Sequence, residues 1–187
     1  QDLDRKKYMS TLDINGASVE DFNLTQDKIF SENSALYDCI PVLDYHGDFH
    51  FANLLYDNST KSYKAIDWRS EFSSASSWGD VYYDLGKLYA GSRVQFSKIK
   101  SMRNSEYKEL VREISAKSYI LEEHRSNSLI EFSSFYDSWL SDNEYDAKKV
   151  KLIGGLVLCR IAGLHEKNQG NFLFLHGRSL INESFQI

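Results

Sequence analysis

Within thirteen residues, YHGDFHFANLLYD at 45–57, the chain sets two histidines, two aspartates and an asparagine among apolar neighbours. Asp48 and Asn53 stand five apart, and Asp67, inside KAIDWRS, follows Asn53 by fourteen. ANLLYD and SYKAIDW read as two short strands around the polar turn DNSTKS, so a hairpin folds Asp67 back beside Asn53. Phosphoryl transfer asks for that set. It needs a carboxylate that orients a hydroxyl and takes its proton, and oxygen ligands that hold magnesium against the phosphates of ATP. Asp48 then reads as the base, with Asn53 and Asp67 as the metal ligands. HGDFH alone also suits a metal-dependent hydrolase, but that chemistry needs further ligands in a comparable cluster. His124, His165 and His176 stand singly on expected helices.

The elements around this centre are mostly helical. Residues 1–40 read as one helix, on the spacing of Val19, Phe22, Leu24 and Ile29 in ASVEDFNLTQDKIFSE. CIPVLDYH reads as extended, because Pro41, the only proline, keeps Ile40 out of helical geometry. DVYYDLGKLYAGS predicts a helix capped by Asp80 and ending near Gly91. NSEYKELVREISAKSYILEEHR, SNSLIEFSSFYDSWL, EYDAKKVKLIGGLVLCRIAGLH and NFLFLHGRSLINES carry the helical pattern to the end. The fold class is therefore α+β and mostly helical, one unit with a leading segment at 1–45, a site-bearing centre at 46–91 and a helical body at 92–187.

Composition narrows the function. The 187 residues suffice for one domain with a buried core, and 42% apolar and 14% aromatic content argues for order. A formal net charge of −5 argues against a nucleic-acid binder, which gathers lysine and arginine on one face. Cys39 and Cys159 lack metal or redox spacing and read as buried thiols of a reducing, cytoplasmic compartment. The longest apolar run, LIGGLVLCRIAGL, is broken by Arg160 and is too short to span a bilayer.

HGDFHFANLLYD and AIDWR resemble the catalytic loop and metal-binding segment of the aminoglycoside phosphotransferase and choline kinase-like families, small-molecule kinases with the protein-kinase-like fold. Gly47 stands where protein kinases carry arginine in H-R-D, and Trp68-Arg69 follow the metal-binding aspartate where those kinases have D-F-G. The continuation WGDVYYDLGKLYAG resembles a Gly-Asp-x-x-Tyr-Asp-Leu-(Ala/Gly)-Lys segment of bacterial members. The close match covers 46–91. The resemblance implies a kinase-like C-terminal lobe, with ATP and Mg2+ as cofactors and Asp80 bracing the catalytic loop. Asp84 reads equally as a second brace or as surface charge. His46 reads as a residue that holds the loop rather than a proton carrier, His50 and Arg69 as cleft contacts, and Trp68 as packing beside the cleft.

An N-terminal lobe with a glycine-rich strand turn and a phosphate-pairing lysine is not visible: 45 residues precede His46, and Lys6 and Lys7 lie in a polar context. The chain opens on Gln1 rather than methionine, so the missing lobe is expected on a longer polypeptide. The expected function is transfer of the γ-phosphoryl group of ATP to a hydroxyl of a sugar, amino-alcohol or aminoglycoside-like substrate, with no nucleic acid and no membrane span. The alternative is a non-catalytic kinase-like binding or scaffolding module.

Overall fold

The computed structural model describes residues 5–31, 39–43, 45–69 and 78–186. The leading segment differs from the single helix read above. It comprises α1 (Arg5–Met9), β1 (Leu12–Ile14), β2 (Ala17–Val19) and α2 (Phe22–Ser31). Asn15 and Gly16 join β1 to β2 at φ 54° and 81°, the left-handed pair that a two-residue hairpin turn requires. Helical spacing of apolar residues was therefore real only from Phe22 onward. Glu32 at its end and Asp44 in the extended run lie outside the described residues.

The second difference falls at 104–125, read as one helix. A short helix precedes it, α4 (Phe96–Ile99), and within it α5 (Tyr107–Leu110) gives way to the hairpin β7 (Val111–Ser115) and β8 (Ser118–Leu121). β8 runs parallel to β1, with Asp13 opposite Ser118 and Ile14 opposite Tyr119, and the sheet order is β2-β1-β8-β7. Tyr119 and Leu121 are buried while Ser118 and Ile120 are less so, the alternation of a half-buried strand. A partner more than a hundred residues away decides this segment against its local helical pattern.

Two smaller antiparallel pairs frame the site. β3 (Pro41–Leu43) pairs with β6 (Trp78–Asp80), and β4 (Leu54–Asp57) pairs with β5 (Ser62–Ala65). The expected helices then follow as α3 (Val81–Arg93), α6 (Asn127–Asp142), α7 (Ala147–Ala162) and α8 (Lys167–Gln186). Asp80 caps α3 by accepting from Tyr82 N at 3.1 Å, and Asp146 caps α7 through the amides of Lys148 and Lys149. Tyr89, Leu140, Leu158, Leu173 and Leu175 are fully buried in the core that these helices share.

α7 is the middle layer of that body, and its adjacent glycines serve opposite neighbours. A Cβ on Gly154 would stand 3.0 Å from Gly86 O of α3, and one on Gly155 would stand 2.7 Å from Gly177 O of α8. Arg178, 2% exposed, reaches from α8 to the leading segment and donates to the carbonyls of Tyr8, Ser10 and Glu20. No helix among the described residues is long and apolar enough to cross a membrane.

Gly155→Ala forces a methyl onto backbone that cannot retreat. Overpacking of this kind costs about 1–3 kcal/mol, and the expected result in urea unfolding is a lower midpoint with an unchanged slope.

Candidate functional site

Gly47 lets the chain turn sharply before Asp48. Its φ of 72° is left-handed, and a Cβ there would stand 2.8 Å from Arg69 Cβ. A larger residue between His46 and Asp48 is therefore excluded by the segment after Asp67. A 3₁₀ turn at Phe51–Asn53 then leads into β4, with His50 Nδ1 accepting from Ala52 N at 3.3 Å.

The loop is held from three sides. His46 N donates to Asp84 Oδ2 at 2.7 Å, and the amides of Gly47 and Phe49 face the same carboxylate at longer range. Burial pushes the Asp84 carboxyl above its ordinary value, against the lowering pull of these amides. The His46 ring is 3% exposed and spends both nitrogens: Nδ1 accepts from Asp48 N at 3.2 Å, and Nε2 donates to Ile66 O at 2.9 Å. His46 O accepts from Arg69 N at 2.9 Å, and the indole of Trp68 stacks on the imidazole at 4.9 Å. His46 thus staples the loop to the segment that carries Asp67.

Asn53 is the second joint. Its Nδ2 donates to Asp48 O at 3.0 Å, which leaves Oδ1 as the free acceptor of the amide, and its own carbonyl accepts from Ile66 N at 2.9 Å. Asp67 follows Ile66 directly, at φ 60°, a left-handed backbone that aspartate tolerates and that most residues avoid. The β4–β5 hairpin thereby returns the chain to Asn53. Asn53 Oδ1 and the Asp67 carboxylate are oxygen donors of the kind that a hard divalent cation takes. Among the described residues no group of three or more His, Cys, Asp and Glu forms a self-sufficient metal centre.

The Asp48 carboxylate is 10% exposed and both of its oxygens are engaged. Lys87 Nζ contacts Oδ1, and Arg69 Nη2 donates to Oδ2 at 2.8 Å. Burial alone would raise this carboxyl, but the ammonium and the guanidinium outweigh it and hold it below the usual carboxylate range. His50 Nε2 lies 3.7 Å from Oδ1, and its burial keeps the imidazole below its ordinary value despite that neighbour.

Asp80 takes the capping part expected of it but not the loop-bracing one. Its carboxylate accepts from Tyr82 N and Ile40 N and lies 3.5 Å from Lys149 Nζ, so it caps α3 and joins it to the start of β3. Loop bracing falls to Asp84. Lys87 was not singled out in the sequence, although its place three residues after Asp84 puts both on one helical face. His124 follows β8 rather than sitting on a helix, and its ring lies 5.5 Å from that of His176, against Phe172. Burial drives His176 down to about 3. Lys7 is paired with Glu113 at 2.7 Å.

No protein family, no curated protein and no solved structure matches the chain.

Two outcomes follow from the loop's supports. Asp84→Ala leaves the His46 amide without its acceptor, at about 1–3 kcal/mol for a buried donor. Hydrogen exchange at residues 46–49 is expected to accelerate more than exchange in α7 and α8. The second concerns acid. A folded Asp48 below its ordinary 3.8 contributes stability that is present above that pH and lost as pH falls through the lower folded value. Asp48→Asn has no proton to take up there, so its acid unfolding curve is expected to be shallower below about pH 4 than the parent's.

Proposed function

We propose that the protein is the catalytic-loop lobe of an ATP-dependent small-molecule phosphotransferase. The observation that carries this reading is the joint at Asn53, which ties its side chain to Asp48 O and its carbonyl to Ile66 N, next to Asp67. One loop and one hairpin thus carry the residues that this reading makes the proton acceptor, Asp48, and the metal ligands, Asn53 and Asp67. The reading also accounts for exposed apolar residues beside them. Leu55, Ile66 and Trp68 are 51%, 40% and 53% exposed, a surface suited to being covered by nucleotide and by an ATP-binding lobe on a longer polypeptide.

In the proposed step Asp48 orients the acceptor hydroxyl and takes its proton. The acceptor oxygen bonds to the γ-phosphorus while the bond to the bridging oxygen breaks and ADP departs. Asn53 Oδ1 and Asp67 would hold Mg2+, which when bound neutralises phosphate charge. His46, with both nitrogens committed, keeps the loop's shape and takes no part in the proton transfer. The acceptor is a sugar or amino-alcohol hydroxyl, with aminoglycosides as a related class, and the setting is the cytoplasm of a bacterium.

One observation favours the second reading, a non-catalytic binding or scaffolding module. Lys87 and Arg69 occupy both oxygens of Asp48, so a hydroxyl must displace one of them. Calorimetric titration of ATP, with and without magnesium, separates the readings when it is run on this chain and on the longest natural polypeptide containing it. Magnesium-dependent binding in either supports the kinase; none in both leaves the module. On a polypeptide that binds, Asp48→Asn is expected to retain nucleotide and to lose about 10²- to 10⁴-fold in turnover. Asp67→Ala is expected to lose the magnesium-dependent part of the affinity.

A further inference from the structure

The two cations on Asp48 are not equivalent. Lys87 projects from α3, its side chain is 16% exposed, and among the described residues its ion pair is with Asp48 alone. Arg69 follows β5 outside any helix or strand, and its side chain is 58% exposed. Moving an exposed guanidinium into water costs little on its own side, because most of its head is already solvated. Moving Lys87 would leave the buried Asp48 carboxylate without the cation on Oδ1, and a stranded buried charge is heavily penalised. The backbone tells the same story: Arg69 N is tied to His46 O, so its head can leave while its main chain stays.

We propose that Lys87 is the positioning residue of the site: it fixes Asp48 Oδ1 from the helix, and Arg69 is the releasable partner whose departure opens Oδ2 to the acceptor hydroxyl. The catalytic part of this assignment rests on the phosphotransferase reading. Helix α3 then grips the loop twice within one turn, Asp84 on the backbone and Lys87 on the reacting side chain. The acceptor proton passes to Oδ2, the oxygen that Arg69 vacates. Arg69, two residues after Asp67, remains at hand for the equatorial oxygens of the transferring phosphoryl group.

The test has an equilibrium arm and a kinetic arm. Urea unfolding is measured for the parent, Lys87→Met, Asp48→Asn, the double variant and Arg69→Met. Lys87→Met is expected to lower the midpoint, adding Asp48→Asn to return most of that loss, and Arg69→Met to change the midpoint little. A double variant that unfolds at the sum of the single losses overturns the linkage. In the kinetic arm, phosphate release from Mg-ATP is followed on the longest natural polypeptide containing this chain. Lys87→Met is expected to lower kcat about 10²-fold with KM for ATP within about twofold, and Lys87→Arg to recover most of the rate. An unchanged kcat in Lys87→Met overturns the positioning role. A parent polypeptide that neither binds nor turns over Mg-ATP overturns the phosphotransferase reading and the catalytic part of this assignment with it, while the unfolding cycle still decides whether Lys87 holds Asp48.

Discussion

A partly buried carboxylate on the first turn of α3 takes the amide hydrogen of His46, and the positions of the other site atoms follow from that bond. With the His46 backbone fixed, its ring can accept from Asp48 N and donate to Ile66 O, and its carbonyl can receive Arg69 N. One side chain thus spans the loop and the strand exit. Charge-assisted hydrogen bonds to a desolvated carboxylate are stronger than neutral ones, which suits Asp84 to carrying a loop with little regular structure of its own. The same helix delivers Lys87 to Asp48 three residues later, so the geometry of the proposed reaction centre is set by a rigid element.

What places α3 is close packing against α7, and what places α7 is close packing against α8. Gly86, Gly154, Gly155 and Gly177 let these axes approach to backbone contact, where side chains would hold them apart. Hydrophobic burial supplies the drive, through residues such as Tyr89, Leu158 and Leu173. Glycine-to-glycine contact supplies the register. The site therefore depends on residues far from it in sequence, and its precision comes from the helical body more than from the loop.

The sequence disclosed the β4–β5 hairpin more fully than the larger sheet. Asp48, Asn53 and Asp67 could be related because a short polar turn between two strands leaves few geometries for the hairpin. The long helices were legible from apolar spacing and, for α3, from Asp80 as its cap. The four-stranded sheet was not. Its β1–β2 turn carries an Asn-Gly signal at Asn15-Gly16 that apolar spacing downstream obscured, and its β7–β8 half is held by pairing to β1, which no local window contains. Asp80 and Asp84 were hard to assign for another reason: two aspartates four residues apart look alike in a string, and only the direction of each carboxylate separates a helix cap from a loop brace.

The parallel pairing of β1 with β8, and the reach of Arg178 back to Tyr8, Ser10 and Glu20, bear on how the chain is made. A ribosome releases the first strands long before it releases their partners. Residues 12–19 leave the exit tunnel as a two-stranded ribbon, marginal in water by itself, and wait through about a hundred further residues for β8 and longer still for the arginine. The loop at 45–57 and its hairpin emerge during that interval. Within this segment the sheet is thus completed late, and β1 and β2, made before the helical body, are secured only after it.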